Sequence, residues 1–441
     1  MARGDLPPTV APRKLRPHRG MSDVAAETTA PPAEEVGSWR VLVRSFAALF
    51  TGEVAARLFG LAGVLLLARR LGPSDFGIVS FALSLVGWFG LVVDSGTELI
   101  SVRDIAREPH RFRELADRVL GLRLVLSVAA AGVFVAAVEV FARSGRVRDT
   151  VVLFAVVLPA LALNLRWMVL GVRSAKAVAA GNVAARAVLA LGILAFVHGS
   201  PDLHRVPFLE LAAELTYAVV IGVAVARHFG FARPRVDVAA WVATLRQSLP
   251  LLVNACARAA FYSFDIVAIE LFLGPRKVGL YTAAAKPVLF CTGAIGLFSI
   301  AFLSSFSSAG PDEARALLRR SLRTSFAVCL VLAVALSAVA FVAVPLVFGD
   351  AYRGAVGTLV VLAWRIPIMA LTSPLGSSLI AAGRQTTLMR INVVGALVLV
   401  GADLVAVPLG GIVGAAAVSV VVSLVVLALT YRAQSRPPRR P

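Results

Sequence analysis

The chain has 441 residues, 59% of them hydrophobic and 16% charged, with a formal net charge of +19. Its mean hydropathy is +0.84, whereas soluble domains are only about 45–50% apolar, so a water-soluble globule is excluded. No basic soluble module interrupts the apolar runs, as nucleic-acid binding would require; the positive charge reads as topology and contact with anionic lipid.

The first 38 residues, beginning MARGDLPPTVAPRKLRPHRG, contain no apolar run. No apolar core follows their basic residues before the first full-length span, which excludes a signal peptide and predicts a disordered cytoplasmic tail at 1–38. About twelve stretches then reach the roughly 20 apolar residues that cross a bilayer. The first six are Val41–Leu67, Phe76–Ser101, Leu115–Phe141, Val151–Gly171, Val178–Val197 and Phe208–His228. The second six are Leu249–Leu273, Val278–Phe306, Ser325–Phe348, Ala355–Ala382, Asn392–Leu409 and Ile412–Tyr431. None alternates polar with apolar, as barrel strands would. The expectation is an all-α integral membrane protein, and QSRPPRRP at the end reads as a second tail, 434–441.

Lys and Arg are denser in the connections that lie inside if the N-terminus is cytoplasmic, such as Arg103 to Arg118 and Arg315 to Arg323. That bias predicts both termini cytoplasmic. Cys256, Cys291 and Cys329 lie in or beside apolar spans without paired spacing. They signal neither a disulfide framework nor a metal site.

Sliding the chain on itself by about 202 residues places Leu71-Gly72-Pro73 on Leu273-Gly274-Pro275 and Gly77 on Gly279. Arg44 falls on Arg246, and FRELADRVLGLRLVLSV falls over ARALLRRSLRTSFAVCL. These matches predict two six-helix pseudo-symmetric halves, 39–235 and 236–433, around a central cavity. Such parallel repeats are one plan of membrane transporters.

The stretches LARRLGPSDFG, SLP followed by FDIVAI, and FLGPRKVGLYTAA resemble bacterial polysaccharide exporters. FGDAYRGAV and LIAAGRQ fit the same pattern. The resemblance, from about Arg40 to Arg432, is to the O-antigen (Wzx-type) flippases of the multidrug, oligosaccharidyl-lipid and polysaccharide (MOP) exporter superfamily. It implies a twelve-helix fold with a V-shaped cavity that moves a polyprenyl-diphosphate-linked oligosaccharide between leaflets. Other polysaccharide-assembly proteins are implied as partners, and a monomer is expected.

Ionisable groups inside a bilayer mark a pathway or a pair. Arg57, Arg258, Lys286 and Arg365 lie within spans and are expected to line the cavity and bind the diphosphate. Lys286 and Asp265 stand at comparable depth on either side of one turn, which predicts an ion pair between them. Arg123, Arg166 and Arg186 are further candidates, although the first two are near enough to span ends to snorkel. Glu53, Asp265, Asp94, Glu98, Glu214 and Asp403 are candidates for ion coupling or pairing, with Glu210 one turn from Glu214. Asp94 and Glu98 are expected to clamp Arg103 and Arg107. Coupling to a proton or sodium gradient is an expectation, and no cofactor is signalled.

The nearest alternative is an ion-coupled multidrug antiporter of the same superfamily, whose cavity should favour carboxylates. A membrane glycosyltransferase or polymerase would need a long extracytoplasmic loop, and an ATP-driven exporter a GxxxxGK[ST] loop. The sequence has neither, so a non-enzymatic carrier is expected. A lipid II-type flippase would usually carry two further spans.

Overall fold

A computed structural model describes residues 39–107, 112–141, 145–171, 175–230, 233–308 and 311–435. The expected tail at 1–38, and all but the first two residues of that at 434–441, lie outside the described residues. The chain divides into two compact units, Met1–Phe50 and Thr51–Pro441. In the first, residues 39–50 are helical.

The described secondary structure is helical throughout. In chain order come α1 (Trp39–Asp94), α2 (Thr97–Arg107), α3 (Phe112–Phe141), α4 (Gly145–Leu153), α5 (Val157–Ala162), α6 (Arg166–Gly171), α7 (Ala175–Phe196) and α8 (Val206–Phe229). Then follow α9 (Val238–Leu273), α10 (Pro275–Ser308), α11 (Pro311–Phe348), α12 (Val356–Ala363), α13 (Arg365–Ala381) and α14 (Gln385–Ser435).

Among the described residues, eight helical stretches are long and apolar enough to cross a membrane. Two of them, Val54–Asp94 and Gln385–Ser435, run for 41 and 51 residues. At 1.5 Å per residue each is about twice the thickness of a hydrocarbon core. Both fold back at a glycine, Gly72 and Gly411, where the backbone leaves the helical region. The protein is an all-α, multi-pass membrane protein. Large apolar residues such as Val133, Val331 and Leu409 are exposed, as lipid contact requires, while Phe76, Phe134, Leu158, Ile269 and Leu359 pack in the main core.

The repeated LGP phrase builds the same turn twice. Gly72 has φ 72° and ψ 174°, and Gly274 has φ 80° and ψ 177°. Only glycine enters this region without strain, and the following proline suits a helix's first position. The two turns lie against each other. A Cβ on Gly77 would overlap the Pro275 carbonyl, and one on Gly279 would overlap the Pro73 carbonyl. Gly279→Ala is therefore expected to cost about 1–3 kcal/mol of stability. This is read as a lower melting temperature in detergent; an unchanged value would contradict the close contact.

Arg69 and Arg70, adjacent to this turn, cap two helix ends. Arg70 donates to the carbonyls of Ile193, Leu194 and Val197 at 2.9, 2.8 and 2.6 Å, at the end of α7. Arg69 donates to Val347 O at 2.7 Å and to Leu346 O, at the end of α11. Terminal carbonyls lack intrahelical donors, so these cations fill a structural role. Tyr352 Oη adds a 2.9 Å bond to Ala68 O.

Three expected spans are interrupted. The second breaks at Ser95 and Gly96, both at positive φ. The fourth breaks at residues 163–165, between α5 and α6, and the tenth at Trp364, between α12 and α13. Pro367 accounts for the last, because it cannot donate to the Ala363 carbonyl.

The break at Ser95 separates Asp94 from Glu98, and the expected clamp is corrected. Asp94 pairs with Arg123, which also donates to Thr97 Oγ1 at 3.0 Å and Asn164 O at 2.9 Å. Glu98 lies 3.8 Å from Arg166. Arg103 pairs with its neighbour Asp104, and the side chain of Arg107 lies outside the described ones. Buried Arg123 does not snorkel; its guanidinium is held by a carboxylate, a hydroxyl and the Trp167 ring.

Candidate functional site

Two adjoining cavities lie between helices from the two halves of the sequence. The larger, of about 500 Å³, is lined by Arg57 of α1, Asn182 and Arg186 of α7, Glu210 of α8 and Lys286 of α10. The smaller, of about 230 Å³, is lined by Tyr262 and Asp265 of α9, Tyr281, Thr282 and Lys286 of α10, and Arg365 of α13. Lys286 borders both, together with Val64, Leu67, Val79, Leu83 and Leu289. An ammonium group thus stands where the two spaces meet.

Helical periodicity explains the placement. Arg57, Gly60 and Val64 recur at three and four residues, so α1 presents one stripe to the larger cavity. Thr282, Lys286 and Leu289 form a like stripe on α10 facing the smaller cavity. Pro275 and Pro287 bracket the first turns of α10, and Pro287 leaves the carbonyl of Ala283 without its usual donor.

The cations are held differently. Arg57 packs its guanidinium against the backbone of Gly293, where a Cβ would leave no room. Arg186 lies 3.7 Å from Glu210. Arg365 is buried, donates to Phe261 O at 2.7 Å, and sits 5.5 Å over the Tyr262 ring. Among the described residues, no hydrogen bond or ion pair engages Lys286. Glu210 acts on its charge only from a distance and Arg186 opposes it, an expensive arrangement in a membrane interior unless a ligand or water answers it.

The expected Lys286–Asp265 ion pair is not formed. Both residues line the smaller cavity, but Asp265 is turned toward Tyr281 and α14. It accepts hydrogen bonds from Tyr281 Oη and from Ser419 Oγ, the latter at 2.8 Å. Its other oxygen is buried without a donor, as are both oxygens of Asp403. The Asp265 and Asp403 carboxyl groups are within hydrogen-bonding reach of each other, at 3% and 0% exposure. Two buried carboxyls in contact is an arrangement the sequence spacing could not disclose, since 138 positions separate them.

The remaining candidates divide. Arg258 is exposed and lines neither cavity, so the expected set of four cations loses one member. Arg186, treated as secondary in the sequence, lines the larger cavity instead. Glu214 is half-buried one turn beyond Glu210 and borders neither cavity. Glu53 lies in α1, with its side chain outside the described ones.

Comparison with known proteins shows the family and the fold. The profile of a family described as polysaccharide biosynthesis protein matches residues 42–309. None of the curated proteins compared matches the sequence. A multidrug resistance MATE family transporter of the MOP superfamily, in an inward-facing conformation, superposes with a TM-score of 0.69 at 16% identity, covering 86% of this chain and 94% of that one. The lipid II flippase MurJ, in an inward closed conformation, gives 0.72 at 12% identity, covering 88% of each. An outward-facing MATE transporter gives 0.57 at 13% identity, covering 89% and 94%.

Proposed function

Because the chain belongs to the polysaccharide biosynthesis protein family, whose profile spans residues 42–309, we propose that it is a flippase for a polyprenyl-diphosphate-linked oligosaccharide. The carrying observation is the paired cavity, in which Arg57, Arg186, Lys286 and Arg365 face one continuous set of walls. A diphosphate is an anion with acceptors only, and Arg and Lys supply the donors and charge that it needs. The prenyl tail stays in lipid while the head group crosses in the cavity.

In this reading the chain sits in the bacterial plasma membrane with both termini cytoplasmic. The two LGP turns then lie on the outer side, and their mutual contact closes the cavity there. The higher TM-scores with inward-facing and inward-closed relatives support the same state. The two halves rock about this contact, opening the site to each leaflet in turn.

The coupling element is the Asp265–Asp403 pair. Like charges in contact within a poorly solvated interior repel strongly, so the pair is held together by a shared proton or an intervening cation. Tyr281, which donates to Asp265, is on α10 with Lys286, so a change at the pair reaches the cavity wall through one helix.

Deleting the gene and analysing lipid extracts by mass spectrometry tests the substrate class. A polyprenyl-diphosphate-linked glycan should accumulate on the cytoplasmic side. Unchanged lipid-linked glycan with accumulation of a cationic drug would identify an antiporter.

A further inference from the structure

The two cavities differ in what they offer to hydrogen bonds. In the larger, Arg57, Arg186 and Lys286 contribute donors. Four hydroxyls of the smaller have their single proton already committed, while the Thr282 hydroxyl on the same wall is buried without a partner. Ser80 Oγ donates to Phe76 O at 2.8 Å, Ser84 Oγ to Ser263 O at 3.2 Å, Ser263 Oγ to Ala259 O at 3.0 Å and Thr292 Oγ1 to Leu289 O at 3.2 Å. Each hydroxyl oxygen keeps two lone pairs, so this stretch of wall presents acceptors. A diphosphate, which has no protons to give at neutral pH, cannot use these oxygens, although Lys286, Arg365 and the unpartnered Thr282 hydroxyl elsewhere on the wall can donate to it. A sugar ring, whose hydroxyls are donors as well as acceptors, can use both.

Tyr262 adds the second component. It is 41% exposed, lines the same cavity, and is flanked by the Arg365 guanidinium. An aromatic ring packs against the apolar face of a pyranose while neighbouring polar groups take its hydroxyls, the usual division of labour in small-molecule sites. Arg365 already donates to Phe261 O, and its Nε is buried without an acceptor. It orients the ring and remains, with Lys286, one of the two cations of this wall.

We propose that the smaller cavity is a sugar subsite, which holds the lipid-proximal residue of the glycan against Tyr262 while the diphosphate occupies the larger cavity across Lys286. This deepens the transport reading and rests on it. It makes the carrier selective for the first sugar, because the rest of the glycan lies beyond these walls.

The test compares three probes on the purified full-length protein in nanodiscs: farnesyl diphosphate, and its conjugates with N-acetylglucosamine and with galactose. The wild type should bind at least one conjugate about fivefold tighter than farnesyl diphosphate. Tyr262→Leu should bring that ratio close to one, and Tyr262→Phe should restore it. Lys286→Met should weaken all three probes by a common factor. Equal wild-type affinities for the three, or a preference that survives Tyr262→Leu, overturns the sugar subsite and leaves the diphosphate reading standing. If farnesyl diphosphate itself does not bind, both readings fail. Should Tyr262→Leu misfold, Ser263→Ala reads the same ratio from the acceptor side.

Discussion

Cells carrying Lys286→Met are expected to export less than about one hundredth of the wild-type glycan while the variant still inserts in the membrane. Removing one partner of a desolvated charge pair costs about 2–5 kcal/mol, and each 1.4 kcal/mol is about tenfold in an equilibrium. The loss falls on the substrate complex and not on the fold, because no described residue depends on Lys286 for a bond or an ion pair. Methionine keeps the length and apolar stem, so packing against Val64 and Leu289 survives. Lys286→Arg should restore part of the export, since charge is retained while the compact ammonium is replaced by a planar fork. The measurement is surface glycan per inserted protein, and near-normal export by Lys286→Met would show that the ammonium has no part in the pathway.

The second large effect is expected at the carboxyl pair. Asp403→Asn removes one charge from a fully buried contact and preserves its shape. Its melting temperature in detergent should therefore hold or rise, because an amide can donate to Asp265 without a proton or cation having to bridge the two groups. Transport driven by an imposed proton or sodium gradient should fall about tenfold or more, while exchange without a gradient persists. This split separates coupling from stability. If Asp403→Asn unfolds the protein, or leaves gradient-driven transport intact, the pair is a structural element and the coupling assignment is wrong.

Much of the architecture was legible because its causes are local. Twenty-residue apolar runs mark crossings, and the Gly-Pro phrases mark turns whose φ only glycine tolerates. Both LGP turns form where the sequence places them, and the same 202-residue offset that aligns them also nearly aligns the breaks at 163–165 and 364. The depth argument for Lys286 and Asp265 also succeeds in part, since both reach one cavity. Depth follows from counting residues away from a turn.

Azimuth does not. Which way a helix turns a side chain depends on the neighbours it packs against, and these are distant in sequence. Asp265 turns to Ser419 and Asp403, and Asp94 turns to Arg123 across a break that no apolar count reveals. Ser95 has φ 49°, an uncommon conformation for a residue with a side chain, so the separation of Asp94 from Glu98 had no sequence signal. Arg258 and Asp265 share a face of α9 by spacing, yet one is exposed and the other buried. Arg186 was undervalued for the converse reason. Its acidic partner, Glu210, lies on the next helix, and the pair reads as two unrelated charges until α7 and α8 are brought together.

Transbilayer movement in reconstituted liposomes tests the central claim most directly. Wild-type protein should carry a polyprenyl-diphosphate-linked sugar from one leaflet to the other, and the Lys286→Met protein, reconstituted at equal density, should leave it where it was placed. Equal movement by both proteins, or none by the wild type, would contradict the account.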